Sequence, residues 1–354
     1  MARIGVAVSG GPNPSEIVEL VTLAESLGYE SAWVAEGHGG DQFAVLSGCA
    51  MQTSTIRLGT AISSVYVRSI PTIAMAAATV DDLSEGRFIL GLGSSHKVQV
   101  VPEHGVEYSK PITRLRESVD IIRQLLETGT ARFQGETVTI ENFDLWFRPR
   151  RPDLPIYAAA VFPKMMAVCG EIADGIILTR STLQTGAQVK QCLAEGAALA
   201  GRDPGKVEVT SLLPIAVGDN RQEALDTMRP GLTFYVGFFP RYRQMIADYG
   251  FAEETAAAAA ALHLAATDPD ALMLVLPSDH VMAKTEAFLD GVRAACRAAR
   301  DGALVTFGVT PDAPETGFGY IRRGKAWEGA AGCFHVESFV EKPNRETAKT
   351  FLES

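Results

Sequence analysis

Glu36 and His38, separated by Gly37 at the end of an early apolar run, pair a carboxylate with an imidazole, the two groups that most often move protons in enzymes. A second imidazole, His96, closes the glycine- and serine-rich segment GLGSSHK (Gly91–Lys97), and Glu103 follows it. The backbone amides and short hydroxyls of Gly93, Ser94 and Ser95 suit close approach to a planar ring or a phosphate, although a plain strand-to-helix turn has the same composition. Further along, a helix beginning near Pro163 would turn free N–H groups toward an anion, and Arg180 would add positive charge. These residue types together describe proton transfer beside an anionic ligand. The five cysteines (Cys49, Cys169, Cys192, Cys296, Cys333) are scattered without metal-ligand spacing, so no metal site is expected among them.

The elements that must position these residues follow from periodicity. Short apolar runs at Arg3–Ser9, Ser31–Ala35, Ile56–Ile62, Phe88–Leu92, Ile156–Ala160, Gly175–Leu178 and Val207–Val217 read as strands. Amphipathic segments between them read as helices. The first is capped by Asn13 with Pro14 in its first turn, and the others span Gln42–Thr53, Thr72–Ser84, Ile112–Thr128, Lys164–Ala173, Ala187–Ala200 and Gln222–Tyr235. A polar interruption over Ala131–Phe147 reads as an inserted hairpin. Strict alternation demands parallel strands with helices outside, which fits a doubly wound sheet or a closed barrel. Seven units in about 235 residues, with no dinucleotide glycine fingerprint after the first strand, favour a TIM-type (β/α) barrel.

Composition narrows the class. At 354 residues, 47% hydrophobic and 21% charged, the chain has room for one large barrel or two unequal domains. No stretch approaches the ~18 apolar residues of a membrane helix, and the opening MARIGVAVSGG runs straight into a strand, so a cytoplasmic enzyme is expected. A net charge of −10 without a basic stripe argues against nucleic acid as a partner. A small organic substrate is the expected partner, and a homo-oligomer stays open.

The run VRSIPTIAMAAATVDDLSEGRFILGLGSSHK (Val67–Lys97), with LAESLGYESAWVAE (Leu23–Glu36), LPIYAAAVFPKMM (Leu154–Met166) and GEIADGIILT (Gly170–Thr179), resembles the luciferase-like oxidoreductase superfamily and within it the methylenetetrahydromethanopterin reductase branch. The resemblance spans about residues 3–251. It implies an α/β barrel whose strand ends hold F420, the deazaflavin coenzyme, or FMN. It also implies a non-prolyl cis peptide at Ala61–Ile62 in the third strand, with Ser63 beside it, pressed against the ring. Phosphate contacts are implied at Ala159, Ala160 and Val161 and at Thr179 with Arg180. Relatives carry an Asp-His pair where this chain has Glu36-Gly37-His38. Reductase and monooxygenase chemistry both remain open.

From about Glu254 the pattern changes. The alanine run Ala256–Ala261 reads as helix; a strand (Leu272–Leu276), a helix (Glu286–Arg300), a strand (Leu304–Val309), a glycine-rich loop (Glu315–Tyr320) and a last strand (His335–Val340) follow. The motifs LVLPSDH, LVTFGVTP, PETGFGYI and FVEKP resemble an internal stretch of mannose-1-phosphate guanylyltransferase, a sugar nucleotidyltransferase. That resemblance implies metal binding by Asp279, and sugar or phosphate contacts from Gly319, Tyr320, Glu341 and Lys342. The family's nucleotide loop and its later portions are absent. Residues 1–253 are thus expected to form an oxidoreductase domain and 254–354 a partial nucleotidyltransferase-like segment, as in a fusion of two partial genes. Either Leu272–Leu276 substitutes for the barrel's eighth strand or the barrel keeps open edges. The alternatives to an oxidoreductase are an incomplete nucleotidyltransferase and a non-catalytic chimera.

Overall fold

The computed structural model describes residues 3–8, 11–182, 185–268, 270–276 and 285–353. The chain divides into two compact units, Met1–Met245 and Ile246–Ser354.

The first unit begins β1 (Gly5–Val8), α1 (Pro14–Ser26), β2 (Ser31–Val34), α2 (Gln42–Gln52), β3 (Arg57–Thr60), β4 (Ser63–Ser64), α3 (Ile70–Leu83) and β5 (Phe88–Gly93). It continues α4 (Lys97–His104), α5 (Pro111–Thr128), β6 (Thr130–Gln134), β7 (Thr139–Asp144), β8 (Ile156–Ala159), α6 (Pro163–Ile172), β9 (Gly175–Thr179), α7 (Thr185–Leu199), β10 (Glu208–Leu212), α8 (Arg221–Phe238) and α9 (Pro240–Ile246). The helices start where side chains can take up their free N–H groups. The Glu16 carboxylate accepts from Asn13 N–H at 2.6 Å, and Asp41 Oδ1 accepts from Ala44 N–H at 2.9 Å.

The sheet runs β1-β2-β3-β5-β8-β9-β10, parallel throughout, with β4 also pairing with β5. This is the nearly closed α/β barrel expected from the alternation, and β6 with β7 forms the inserted antiparallel hairpin. Alternation along β5 explains why all its positions are buried: Phe88, Leu90 and Leu92 belong to the core under the helices, whereas Ile89 packs in a separate inner cluster with Trp33, Tyr157 and Ile177. Gly59 makes room for that inner cluster, since a Cβ there would lie 2.5 Å from the Trp33 ring.

At the N-terminal foot of the strands, charges converge. Arg3 Nη2 lies 2.6 Å from Glu30 Oε1 and its Nη1 lies 3.2 Å from Glu208 Oε2. Arg57 is 3.5 Å from Glu30 and 3.9 Å from Glu208, and the Tyr157 hydroxyl donates to Glu208. Arg3 precedes the first strand and Glu208 opens the last, so this cluster ties the two ends of the sheet together. No ladder does so: among the described residues the outer edges of β1 and β10 have no strand partner.

Two expectations need correction here. The seventh strand is shorter than Val207–Val217; it stops at Leu212, and Leu213, Ile215 and Val217 are exposed. Leu272–Leu276 forms no strand and pairs with nothing in the barrel sheet, its side chains being 39–58% exposed. An apolar run becomes a strand only when another edge accepts its N–H and C=O groups, and no described edge does so.

The second unit contains α10 (Ala252–Thr267), α11 (Thr285–Arg300), β11 (Tyr320–Ala326), β12 (Phe334–Val340) and α12 (Arg345–Glu353). The alanine run lies within α10, as expected. Leu304–Val309, expected as a strand, has no ladder for the same reason as Leu272–Leu276. β11 pairs antiparallel with β12, which sets Tyr320 opposite Val340. Its sequence YIRRGKA has polar residues on both faces and so lacks the alternation that marks a half-buried strand.

Candidate active site

The residues singled out for chemistry stand at the C-terminal ends of neighbouring strands in the order β2, β3, β5, β8, β9: Glu36, Ala61–Ser63, Gly93–His96, Ala159–Val161 and Thr179–Arg180. In (β/α) barrels this is the end at which loops can surround a ligand.

The wall between β3 and β5 is built from small groups. The Ala61–Ile62 peptide is cis, at the position expected. Ala61 N–H donates to Val34 O at 2.8 Å, and Val65 N–H donates to Gly93 O at 3.0 Å, which pins the bulge on both sides. Gly93 must stay small, because a Cβ there would lie 2.8 Å from the Ile62 side chain and 3.4 Å from Ala159 Cβ. Ser63 and Ser64 are buried beneath this wall.

Glu36 is fully engaged. Its Oε2 accepts from Ser64 N–H at 2.8 Å and from the Ser63 hydroxyl at 3.4 Å, while its Oε1 accepts from Arg68 Nε at 2.5 Å. Arg68 reaches on to Asp41 at 2.5 Å and lies over the Phe43 ring. The carboxylate thus braces the β3–β4 bulge. His38 stands apart from it, 79% exposed, with Nε2 3.2 Å from Glu103 Oε2 on α4. The two loops therefore join His38 to Glu103 and leave Glu36 with Arg68.

His96 caps α4, half-buried, with its ring 4.7 Å from Phe239 and 5.1 Å from Tyr242 between centroids. Burial drives its pKa down to about 4, so the imidazole is neutral at physiological pH. Ser95 has a left-handed backbone (φ 51°), and the Tyr108 hydroxyl donates to its carbonyl at 3.3 Å. Tyr108 in turn stacks on Tyr66 at 4.5 Å.

On the opposite side, Ala160 N–H donates to Ile177 O, and Phe162 caps α6. Arg180 also has a left-handed backbone (φ 52°), and its guanidinium sits 3.8 Å above the Tyr235 ring. Burial and nearby Tyr235 push the Tyr242 hydroxyl pKa up to about 12.

Sequence reasoning missed Arg68, Tyr235, Phe239, Tyr242 and Arg241. The dense aromatic run FYVGFFPRY (Phe234–Tyr242) was the available signal, but it belongs to the joint between α8 and α9, and nothing in its spacing points to the ends of β5 and β9.

In the second unit, the hairpin brings two of the nucleotidyltransferase-like motifs side by side. A Cβ on Gly319 would lie 2.4 Å from the Phe339 ring and 3.0 Å from Glu341 Oε2. Lys342 Nζ is 3.4 Å from Glu341 Oε1, with both side chains exposed. Asp279 lies outside the described residues. No cluster of His, Cys, Asp and Glu suited to a metal ion occurs among the described residues, and no described helix is long and apolar enough to cross a membrane.

The sequence from 1 to 286 matches the model of the luciferase-like monooxygenase family. It is 30% identical over 226 residues to the 5,10-methylenetetrahydromethanopterin reductase of Archaeoglobus fulgidus, covering 64% of this chain and 67% of that one. Among solved structures, the coenzyme F420-dependent tetrahydromethanopterin reductase of Methanopyrus kandleri superposes with a TM-score of 0.62 at 27% identity, over 67% of this chain and 73% of the other. Coenzyme F420-dependent enzymes and FMN-bound enzymes both occur among the relatives. A separate stretch is 55% identical over 106 residues to the mannose-1-phosphate guanylyltransferase ManC of Salmonella typhimurium, covering 28% of this chain but only 22% of that protein.

Proposed function

The chain belongs to the luciferase-like monooxygenase family, and on that premise we propose that residues 1–253 form an oxidoreductase domain transferring a hydride between coenzyme F420 and a small organic substrate. What carries the reading is one juxtaposition at the strand ends. A wall of small and apolar groups (Ala61, Ile62, Gly93, Ala159) stands near a cation, Arg180, that no described carboxylate neutralises. The first suits the face of a tricyclic ring and the second suits its phosphate. A bound deazaflavin supplies a hydride donor or acceptor at its ring. FMN presents a similar ring and phosphate and is the second cofactor this chemistry admits.

The chain's own residues then divide the remaining tasks. Glu36 positions the Ala61–Ser64 bulge through Ser63, Ser64 and Arg68. Gly93, Ser94 and Ser95 border the ring, and the Ala159, Ala160 and Val161 segment with Thr179 and Arg180 holds the phosphate. His96, kept uncharged by burial, accepts a hydrogen bond from substrate. His38, with Glu103, exchanges protons at the exposed margin. Residues 254–354 form an appended segment; 22% of a guanylyltransferase with no nucleotide loop does not assemble that activity.

A melting scan of the purified chain with F420, FMN and GTP plus Mg²⁺ tests this, because a ligand raises the transition only of a fold that binds it. The expected result is a clear rise with F420. A rise with GTP alone would favour the nucleotidyltransferase, and no rise with any ligand would leave a non-catalytic chimera.

A further inference from the structure

We propose that Arg241 on α9 is a second anchor beside Arg180, so that the site takes a cofactor whose tail carries more than one anionic group. This rests on the oxidoreductase reading above and deepens it by specifying the kind of cofactor. Arg180 follows β9, and Phe162 follows β8; these strands are hydrogen-bonded neighbours, with Ala159 opposite Ile177. The Arg180 guanidinium stacks on Tyr235 of α8, and the Arg241 guanidinium lies 5.5 Å from the centre of the Phe162 ring. Tyr235 and Tyr242 meet edge to face at 5.0 Å, and Arg241 immediately precedes Tyr242 in the chain, so the two arginines stand on rings at adjoining strand ends.

Most of the barrel's other arginines are spent on carboxylates: Arg3 on Glu30, Arg68 on Glu36 and Asp41, Arg116 on Glu171, Arg151 on Asp81. Arg87 and Arg114 have no carboxylate partner either, but their guanidinium groups donate to backbone carbonyls, whereas those of Arg180 and Arg241 lie against aromatic rings with no described carboxylate or carbonyl bonded to them. An aromatic face orients a guanidinium without cancelling its charge, which leaves the fork free for an external anion. In a chain of net charge −10, two such cations on one rim are a marked local exception. FMN offers one phosphate at the end of a short chain. F420 offers a phosphodiester followed by carboxylates further out. Arg180, half-buried, is placed for the phosphate, and Arg241, exposed, for the carboxylates beyond it.

Equilibrium binding to the full chain, read by ring fluorescence, would use F420, FMN and the deazaflavin riboside that lacks phosphate and carboxylates. The expected result is that Arg241→Gln weakens F420 about tenfold, the size of one charge-assisted contact, and leaves the riboside and FMN unchanged. Arg180→Gln is expected to weaken F420 and FMN alike. Arg241→Lys, which keeps the charge, should recover part of the loss. The proposal is overturned if Arg241→Gln leaves F420 binding intact, or weakens the riboside or FMN as much as F420. If the unaltered chain binds none of the three, the oxidoreductase reading itself falls, and this inference with it.

Discussion

His96 spans the distance between what a residue's type suggests and what its surroundings make of it. Its ring packs on Phe239 and Tyr242, and burial alone lowers its pKa from the ordinary 6.5 to about 4. The folded state therefore refuses a proton that the unfolded chain accepts. Stability is complete above pH 6.5, falls as pH drops from 6.5 toward 4, and the loss levels off below 4, amounting to about 2–3 kcal/mol. Urea titrations across that range should show this slope, and His96→Phe should flatten it; an unchanged slope would mean that the imidazole is solvated. At Gly91, a Cβ would lie 1.9 Å from the Thr60 carbonyl oxygen and 2.8 Å from Ile177 Cδ1. Backbone cannot yield as a side-chain tip can, so Gly91→Ala should cost about 3 kcal/mol in urea unfolding. His96 and Arg180 were legible as candidates because imidazole and guanidinium carry their chemistry in their types. Phe239 and Tyr242 were not, because an aromatic ring is equally at home in any core.

Among elements, the inserted hairpin is held by one carboxylate. Glu117 on α5 accepts from Glu136 N–H at 2.5 Å, Thr137 N–H at 2.9 Å, Val138 N–H at 3.0 Å and the Thr137 hydroxyl at 2.5 Å. Burial opposes its charge, but these four donors outweigh burial and hold its pKa below the ordinary 4.5. Glu117→Gln cannot accept from all four, so amide exchange at residues 136–138 should quicken while exchange in β5 and β8 stays slow. In the unmutated chain the same loop should loosen only as pH falls below 4.5, where the unfolded carboxyl begins to take up protons. The barrel's strands and helices could be read from the sequence because both faces of a parallel strand are buried and leave an unbroken apolar run. The tail could not be read that way. Leu272–Leu276 has the composition of a strand and lacks an edge to join, and β11 is a strand without the composition of one. Pairing, which no local window records, decided both.

For the molecule as a whole, two compact units should unfold as two events. Calorimetry is expected to resolve two transitions, with F420 shifting only the one assigned to Met1–Met245; a single transition moved as a block would contradict this. The barrel class was legible in strand count and spacing. The missing eighth rung was legible too, as a departure from the family pattern, but how the sheet's ends are reconciled was not, because Arg3 and Glu208 lie some two hundred positions apart in the chain. Their meeting has a consequence for how the barrel responds to its solution. A ring closed by amide ladders is indifferent to ionic strength, whereas one whose first and last staves are cinched by a guanidinium and a carboxylate is not. Dissolved salt should slacken this clasp, opening the foot of the barrel to water by degrees while the rest of its wall holds.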